Sequence, residues 1–433
     1  MNSDAHKHIL IYAHYYVPDV AATGQILREL AEGFKKELNV TVLCVVPSYD
    51  GKVEDKYKEQ RFFREVIDGV EVLRIRVPGF YKEHKLSRIR NILFYYFGAK
   101  AATKIIRDVD YVFAISQPPI LGGMLGRYGK RVHHAKLIYN IQDFNPEQIE
   151  AVGYFKAKPL IKLLMGIDCR NCKKSDLVIT VGRDLVDTMH NRFPNGLPTK
   201  VRCINNWTDE KKIYPLMSDD EKMRKFRRKY GLENKFVIMY SGNIGLYYDL
   251  QNIIRVIKRF RVGINKDGVR EKGIFSAEGR EIVFAFVGDG GVRSTLQDYV
   301  ERHHIENVVF IPYQKAEDLN VSLNSADVHL CVSALGIKGV SCPSKAYGIM
   351  SAGKPMIGIM EQGAEIRCLI EECGCGVCCE PGDYDKIAEL IYKISKVPDK
   401  QLKEMGMKGR SYLVNNLTME KSVRKYLEAI NSL

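Results

Sequence analysis

One stretch of the sequence decides the fold prediction: Ser341-Cys-Pro-Ser-Lys-Ala-Tyr-Gly-Ile-Met-Ser-Ala-Gly-Lys-Pro-Met-Ile-Gly358. Cys342-Pro343 predicts the end of a loop, because the residue before a proline is pushed out of the helical region. Ser344 is placed to cap a short helix, and Gly353 stands where that helix is expected to stop. The apolar run Met356–Met360 then predicts a buried strand. The stretch therefore predicts a loop, a helix, a tight turn and a strand.

The start of this helix carries groups that suit an anion. Ser344 supplies a hydroxyl, Lys345 supplies an ammonium group, and the first turn supplies free backbone N–H groups. This combination favours phosphate above all. We interpret it as the site of a diphosphate leaving group. An ordinary helix–strand unit with a surface lysine is the alternative, and these residues alone do not separate the two.

The composition is that of a globular protein with an anionic partner. A chain of 433 residues is too long for one ordinary core, so two domains are expected. Lysine and arginine outnumber aspartate and glutamate by 66 to 52, a net charge of +14 that indicates a membrane surface, a nucleotide or a nucleic acid as partner. The excess is spread along the chain, which argues against a dedicated nucleic-acid arm.

Two further features concern location and redox chemistry. The polar N-terminus does not read as a signal peptide, and no apolar run approaches the roughly 20 residues that span a bilayer. We therefore expect a cytoplasmic protein whose membrane contact is peripheral, on the inner face. The eleven cysteines are an odd number, so a disulfide framework is not expected. The pair Cys169 and Cys172 and the cluster at 373–379 lack accompanying ligands, so we expect no metal.

Strands and helices alternate in both halves, which predicts two parallel, doubly wound α/β sheets. Ligands of such sheets bind beyond the carboxyl ends of the strands. The predicted strands are His8–Ala13, Val40–Val46, Glu71–Val77, Asp110–Ile115, Lys136–Ile141, Asp176–Val181, Phe236–Tyr240, Ile282–Val287, Val308–Ile311, Asp327–Val332, Met356–Met360 and Val377–Cys379.

The alternation of predicted strands and helices is interrupted by the polar stretch Asn205-Asn-Trp-Thr-Asp-Glu-Lys-Lys-Ile-Tyr-Pro215. We place an interdomain linker at 207–218, between an N-terminal domain at 1–206 and a C-terminal domain at 219–405. The helices expected over 406–433 are predicted to cross back to the first domain. The polar stretch 265–280 is expected to be a loop.

Two predicted helices of the first half combine apolar and basic residues. The first is Leu86–Arg107 and the second is Lys156–Lys174. Such helices suit an anionic membrane surface. A core helix with a solvated basic face is the alternative.

Glycines follow predicted strands in each half, at Gly24, Gly242 and Gly288. Such glycines let the backbone approach a ligand closely. No G-x-G-x-x-G and no P-loop motif accompanies them, so a dehydrogenase or a P-loop enzyme is not indicated. Gly288 opens a turn before a helix that carries Arg293, which is placed to reach an anion.

Polar residues also follow two strands of the first half. Asp143 is expected to point into a cleft, where its carboxylate would accept a proton from an acceptor hydroxyl; a turn-bracing role is the alternative. Glu147 is a weaker candidate for the same acceptor. His14 follows the first strand beside Tyr16, where it could also be a packed loop residue.

The chain resembles family 4 glycosyltransferases with the GT-B fold, two Rossmann-like domains facing across a cleft. Within that family it is similar to the bacterial capsule and O-antigen branch, which includes N-acetyl-fucosaminyl and colanic-acid transferases. The motifs occur in family order over nearly the whole chain. They are Tyr15-Tyr-Val-Pro-Asp-Val-Ala-Ala-Thr-Gly24, Gln142-Asp-Phe-Asn-Pro-Glu147, Asn205-Asn-Trp207, Tyr240-Ser-Gly-Asn-Ile-Gly245, Val287-Gly-Asp-Gly290, Pro343-Ser-Lys-Ala-Tyr-Gly-Ile-Met-Ser-Ala-Gly-Lys-Pro355 and Pro381-Gly-Asp383.

The resemblance implies retaining, metal-independent sugar transfer from a nucleotide-sugar, with UDP as the expected nucleotide. The implied acceptor is a polyprenyl-diphosphate-linked saccharide at the membrane. The implied donor-binding residues are Gly24, Gly242, Asn243, Gly288, Arg293, Pro343, Ser344, Lys345 and Glu365. The implied acceptor-binding residues are His14, Tyr16, Asp143 and Glu147, and the implied catalytic residues are Asp143 and Lys345.

The chain departs from the family pattern at the donor contacts. Val340 and Gly348 stand where the family has two glutamates, and Asn243 and Tyr248 stand near its usual phosphate-binding arginine and lysine. Ser344 and Lys345 are therefore expected to take over the diphosphate contact. A UDP-sugar 2-epimerase of the same fold and a non-enzymatic basic binding protein are the rival functions.

Overall fold

The computed structural model describes residues 6–19, 22–81, 84–151, 158–261, 263–264, 270–271 and 274–433. The chain divides into two compact units. The first unit comprises Met1–Asn205 and Glu420–Leu433, and the second comprises Asn206–Met419. The predicted start of the second basic helix at 156–157, and much of the predicted loop at 265–273, lie outside the described residues.

The first unit is built on one eight-stranded sheet. Its strands are β1 (His8–Tyr12), β2 (Asn39–Val45), β3 (Phe62–Ile67), β4 (Val70–Ile75), β5 (Tyr111–Ile115), β6 (Lys136–Ile141), β7 (Leu177–Thr180) and β8 (Lys200–Cys203). Its helices are α1 (Ala22–Phe34), α2 (Lys85–Thr103), α3 (Leu121–His133), α4 (Glu147–Ala151), α5 (Lys158–Lys174) and α6 (Arg183–Arg192).

The strand order of this sheet is β3-β4-β2-β1-β5-β6-β7-β8, and all neighbours are parallel except β3 and β4. The apolar runs that predicted the central strands are buried throughout β5 and over all but the first residue of β1. Strand order reverses between β1 and β5, and ligands of open parallel sheets bind at such a reversal.

The sequence prediction missed β3, which forms a hairpin with β4. The two strands are joined by Asp68 and Gly69, which have φ angles of 52° and 76°. An Asp-Gly pair with two positive φ angles is a strong hairpin signal. The signal was present, but β3 alternates exposed and half-buried residues and lacks the apolar run that marked the other strands.

The second unit is built on a six-stranded parallel sheet and a two-stranded ribbon. Its strands are β9 (Phe236–Ser241), β10 (Gly263–Ile264), β11 (Arg270–Glu271), β12 (Ile282–Val287), β13 (Val308–Ile311), β14 (Val328–Val332), β15 (Met356–Ile359) and β16 (Gly376–Cys379). Its helices are α7 (Glu221–Lys229), α8 (Leu250–Ile257), α9 (Arg293–Arg302), α10 (Leu319–Asn324), α11 (Lys345–Ser351), α12 (Glu365–Cys373), α13 (Tyr384–Ser395) and α14 (Asp399–Asn416). A final helix, α15 (Met419–Asn431), belongs almost wholly to the first unit.

The larger sheet of the second unit has the order β13-β12-β9-β14-β15-β16. Its strand order reverses between β9 and β14, as in the first unit. Apolar residues of the strands and of α8, α9 and α13 form its main core. The prediction of two parallel-sheet α/β units is therefore confirmed.

The C-terminal helices differ from the prediction in where each belongs. The predicted C-terminal domain ended at 405, whereas the second unit extends to Met419 and includes α14. Helix α14 packs tightly on the end of α11, since a Cβ on Gly406 would lie 2.1 Å from the Gly353 carbonyl oxygen. Helix α15 packs on α1, where a Cβ on Gly33 would lie 2.4 Å from a methyl group of Val423.

The predicted linker 207–218 is partly packed on the second unit. Trp207 is buried, and Ile213 packs with Leu323 and Ala352. Arg410 on α14 donates hydrogen bonds to the backbone carbonyls of Ile213 and Glu210. Among the described residues, no helix is long and apolar enough to cross a membrane.

Candidate functional site

Two of the three predicted donor-site glycines lie at the carboxyl edge of the second sheet. Gly242 directly follows β9, and Gly288 directly follows β12. Their φ angles are +135° and +134°, in the region that favours glycine. A Cβ on Gly288 would lie 2.0 Å from the Gly242 carbonyl oxygen, so the two turns touch backbone to backbone. The edge therefore has no side chain between the two turns.

Lys345 reaches this edge from the start of α11. Its Nζ donates a 2.6 Å hydrogen bond to the Tyr240 hydroxyl and lies 3.9 Å from the ring centroids of both Tyr240 and Tyr248. The two centroids are 6.0 Å apart and the ring planes make an angle of 60°. The rings thus form two walls of a corner around the ammonium. The Lys345 Nζ is also 3.8 Å from the point where a Cβ on Gly242 would stand.

The Lys345 ammonium has no carboxylate beside it in the described part of the chain. Burial lowers the pKa of Lys345 to about 7, and the nearby Cys331 thiol would raise it only as a thiolate. Burial also raises the pKa of that thiol to about 11, so it is neutral at physiological pH. The lysine is therefore poised between its two forms at neutral pH, and a bound anion would favour the charged form.

The structure corrects the predicted cap at Ser344. This residue has helical backbone angles, φ −61° and ψ −18°, and its side chain makes no capping hydrogen bond. A capping side chain needs an extended backbone to reach the amides of the first turn. Instead, the N–H of Ala346 bonds the carbonyl of Pro343, and the N–H of Tyr347 bonds that of Ser344. A contact of Pro343 or Ser344 with the diphosphate stays a prediction.

Three other predicted donor residues lie near strand ends of the same sheet. Arg293 begins α9, and its guanidinium donates a 2.6 Å hydrogen bond to the carbonyl of Gly288, so it braces that turn. Asn243 is exposed, and its backbone carbonyl accepts a 2.6 Å hydrogen bond from the Tyr240 hydroxyl. Glu365 begins α12 and is buried. Ligand contacts by these three residues stay predictions.

In the first unit, Asp143 follows β6 at the carboxyl edge of the sheet. The Ser116 hydroxyl, at the end of β5, accepts hydrogen bonds from the backbone N–H groups of Gln142 and Asp143, at 3.1 and 3.4 Å. The turn after β6 is thereby tied to the neighbouring strand. Asp143 is partly exposed, as a carboxylate that meets an acceptor must be. Its role as a base stays a prediction.

Arg192, the last residue of α6, holds the loop that follows β6. Its Nε and Nη2 donate to the two Glu147 carboxylate oxygens at 2.7 and 2.6 Å, and its Nη1 donates to Asp168 at 2.7 Å. Its guanidinium lies 4.3 Å from the ring centroid of Phe144. Burial opposes the charge, but the two carboxylates outweigh it and raise the pKa of Arg192. In the structure Glu147 is therefore part of an ion-pair network with Arg192 and Asp168, and its acceptor contact stays a prediction.

His14 and Tyr16, also predicted to bind the acceptor, are both buried. The His14 ring lies near those of Tyr15 and Tyr95, with centroid distances of 4.1 and 4.9 Å. Burial lowers the pKa of His14 to about 4, which the Asn91 side chain offsets only in part, so the imidazole is neutral. Its Nε2 has no hydrogen-bond partner among the described residues. Tyr16 is almost fully buried. Acceptor contacts by His14 and Tyr16 stay predictions.

The structure also corrects the position of Gly24. It was predicted to end a loop, but it lies in the first turn of α1. A Cβ on Gly24 would stand 3.1 Å from the carbonyl oxygen of Tyr15. Glycine here lets α1 pack against the backbone that follows β1, which is a packing role. The predicted donor contact of Gly24 stays a prediction.

Tyr240 and Arg192 are the main site features that the sequence prediction did not use. Tyr240 lies 105 residues from its partner Lys345, and Arg192 lies 45 residues from Glu147. No local pattern marks either pair. In the described residues, no group of three or more His, Cys, Asp or Glu side chains could hold a metal ion, and the eleven cysteines are free thiols.

Comparison with known proteins gives the second unit a family. Residues 222–412 match the family described as glycosyl transferases group 1. The chain is 28% identical over 303 residues to a probable glycosyltransferase, WbjE, of Pseudomonas aeruginosa, covering 69% of this chain and 68% of that protein. It is 24% identical over 439 residues to WcaI of Escherichia coli K12, a putative colanic acid biosynthesis glycosyl transferase, covering 98% and 99%.

A solved structure shares the fold over the whole chain. Anabaena Alr3699/HepE, in complex with UDP and glucose, superposes with a TM-score of 0.70 at 14% identity, covering 99% of this chain and 100% of that one. A likeness at this identity concerns the fold, and it confirms the predicted GT-B class. The matched family segment contains the glycine turns, both tyrosines and Lys345.

Proposed function

We propose that this chain, a glycosyltransferase with a glycosyl transferases group 1 domain, moves a sugar from a UDP-sugar to a lipid-linked saccharide in bacterial surface-polysaccharide biosynthesis. The relatives WbjE and WcaI are named as glycosyltransferases, and WcaI is assigned to colanic acid biosynthesis. The HepE structure contains UDP. In this proposal the second unit binds the donor, an N-acetylated or deoxy sugar, and the first unit binds the acceptor.

The observation that carries the proposal is the uncompensated ammonium of Lys345. Lys345 is partly buried, and an ammonium that loses much of its hydration is costly unless a partner balances its charge. The described residues supply only a hydroxyl and two ring faces. The ammonium lies near the reversal of strand order, beside the Gly242 turn, which itself contacts the Gly288 turn. A nucleotide diphosphate is the anion whose chemistry fits this edge.

The chemistry assigned to Lys345 is stabilisation of the leaving group. As the bond between the sugar C1 and the donor phosphate oxygen breaks, negative charge grows on the diphosphate and the sugar becomes oxocarbenium-like. An ammonium fixed beside the diphosphate stabilises that charge more in the transition state than in the ground state. The acceptor oxygen then bonds C1 on the face that the diphosphate leaves, with retention of configuration.

Asp143 is assigned the proton of the acceptor hydroxyl. Its carboxylate follows a buried strand, is partly exposed, and belongs to a turn tied to Ser116. Arg192 supports the same loop through Glu147. These contacts fix the backbone that carries the carboxylate. No metal ion has a role in this scheme.

Helix α2 supports the membrane part of the proposal. Five large apolar side chains on it are between 43% and 82% exposed. Exposed bases at Lys85, Arg88 and Arg90 accompany them. A core helix would bury these apolar side chains, whereas an anionic lipid surface would bind both the apolar and the basic side chains. The exposed apolar residues are Leu86, Ile89, Leu93, Phe94 and Phe97.

The activity test is a donor screen that measures UDP release with a crude bacterial lipid extract as acceptor. We expect one UDP-sugar to give acceptor-dependent release, and Lys345→Ala to reduce it at least about 100-fold. Lys354→Ala is the matched control, because it removes a second desolvated lysine, which follows the turn after α11. Release that needs no acceptor, with conversion of the sugar to its 2-epimer, would identify the epimerase instead.

The membrane test is flotation of the purified protein with vesicles of phosphatidylethanolamine and phosphatidylglycerol. Wild type is expected to float, and Leu86→Ser with Phe97→Ser is expected to stay at the bottom. Met217→Ser with Leu335→Ser is the matched control and should float, since it removes two exposed apolar side chains of the second unit. High salt should weaken flotation without abolishing it, because salt screens the charges and leaves the apolar contact. Wild type that stays at the bottom would overturn the membrane contact.

A further inference from the structure

Two tyrosines outside the predicted donor site meet at the Lys345 ammonium. Tyr240 lies in β9 and is fully buried. Tyr248 ends the short 3₁₀ helix Leu246–Tyr248, which follows the first glycine turn, and is partly buried. Both belong to the segment that runs through this turn, whereas Lys345 arrives from a distant part of the chain. The tyrosines thus connect the lysine to the turn.

We propose that Tyr240 and Tyr248 are positioning residues, which hold the Lys345 ammonium and the adjoining glycine turn in one fixed arrangement for the donor diphosphate. This inference rests on the proposed function, since it assigns a purpose to the surroundings of the donor-binding lysine. It adds two side chains that touch the lysine without any need to touch the ligand.

The Tyr240 hydroxyl makes two contacts at once. It accepts a hydrogen bond from the Lys345 Nζ and donates one to the Asn243 carbonyl, each 2.6 Å long. One oxygen therefore sets the distance between the ammonium and the backbone of the glycine turn. An ammonium has three N–H donors, so two remain for other acceptors. Phosphate oxygens are the acceptors that the proposal assigns to them.

The ring faces restrict where the ammonium can go. A lysine side chain has four rotatable bonds, so ordering it costs conformational entropy. If the side chain were free, this cost would be part of ligand binding and would weaken it. Two ring centroids at 3.9 Å attract the charge through their electron-rich faces. The lysine is therefore ordered before the ligand arrives.

The competing view is that both rings are ordinary core residues that happen to touch a lysine. Tyr240→Phe separates the two views, because it keeps the ring and the packing and removes only the hydroxyl. Tyr248→Leu removes a ring face, and Tyr248→Phe keeps it. Tyr12→Phe is the matched control, since it removes a buried hydroxyl with a 2.6 Å hydrogen bond to Thr103 in the first unit.

The experiment measures UDP and uridine affinities of the full-length protein by calorimetry and competition. We expect Tyr240→Phe and Tyr248→Leu to weaken UDP binding about three- to tenfold. Uridine binding should change less than about twofold, because uridine lacks the phosphates. Tyr248→Phe and Tyr12→Phe should bind UDP like wild type. General damage to the fold would weaken uridine and UDP alike, and that outcome overturns the inference.

The outcomes also separate this inference from the proposed function. In one outcome, Lys345→Ala binds UDP at least about tenfold more weakly while the Tyr240 and Tyr248 variants bind like wild type. The lysine then binds the diphosphate without help from the tyrosines, and only the positioning role fails. If Lys345→Ala itself binds UDP like wild type, the proposed diphosphate contact fails, and the positioning role falls with it.

Discussion

Binding of a UDP-sugar is expected to draw a proton onto Lys345. In the free protein, burial holds the pKa of this lysine at about 7, against 10.5 for an exposed lysine. The groups that face it are Tyr240, Tyr248 and the neutral Cys331 thiol, none of which supplies a negative charge near neutral pH. A bound diphosphate favours the ammonium and raises its pKa. The complex therefore holds more protons than the free protein, and affinity falls as pH rises above 7.

The size of the effect follows from the two pKa values. If the complex restores the ordinary pKa, binding takes up about 0.1 proton at pH 6, about 0.5 at pH 7 and about 0.9 at pH 8. By the same linkage, the dissociation constant rises about tenfold between pH 6 and pH 8. UDP-glucose is a suitable probe, because its diphosphate stays fully ionised over this range.

The assay is calorimetric titration with UDP-glucose at pH 6 and pH 8, each in two buffers with different ionisation enthalpies. The heat at pH 8 should depend strongly on the buffer, and the heat at pH 6 should not. Lys354→Ala should behave like wild type, because it leaves Lys345 in place. Equal heats in both buffers at pH 8, with tight binding, would refute the reasoning, since the lysine would then be charged before the ligand arrives.

Three further predictions concern stability, each measured by urea unfolding followed by circular dichroism. Lys345→Met should be more stable than wild type at pH 6 by a few kcal/mol, because burial destabilises the charged form of the lysine. This gain should vanish towards pH 10.5, where the lysine is neutral in both the folded and the unfolded state. Equal stability of the two proteins at pH 6 would contradict the prediction. Arg192→Met should lower the free energy of unfolding by about 3–5 kcal/mol, because two carboxylates lose their partner. Lys130→Met breaks a partly exposed ion pair and should lower it by at most about 1 kcal/mol. Gly33→Ala should lower the free energy of unfolding by about 1–3 kcal/mol, because the added Cβ would clash with Val423. Gly166→Ala should raise it by about 0.5–1 kcal/mol, because the added Cβ meets no described atom within 4 Å. A change of the same sign in both variants would contradict this packing.

The central strands were predictable because their signal is local. Buried parallel strands such as β1, β9 and β12 are continuous apolar runs, and nothing outside the run is needed to recognise them. The edge strand β3 and the short strand β8 lack such runs, since one or both faces meet solvent. Their pairing depends on neighbours elsewhere in the chain.

The candidate site was predictable in its residue types and not in its contacts. The position of Lys345 after a proline, near a strand end, was enough to propose an anion contact. Its tyrosine partners come from a distant part of the chain, 105 residues away in the case of Tyr240. The Ser344 cap failed for a related reason. A serine before a helix is a common cap, but the backbone angle that decides the matter is set by the turn as a whole.

The stretch that predicted the fold carries two lysines, and their surroundings differ in the way that function requires. Burial lowers the pKa of both, to about 7 for Lys345 and to about 8 for Lys354. Near Lys354, the carboxylates of Asp327 and Asp399 favour its charged form, and the cations Arg227 and Lys403 oppose it. Lys345 faces no carboxylate in the described chain. Lys354 therefore has nearby carboxylates that offset part of its desolvation, whereas the charge of Lys345, beside a strand-order reversal, is left for a ligand to balance. A diphosphate is therefore the expected partner of Lys345 and not of Lys354, although the two desolvated lysines lie within ten residues of each other.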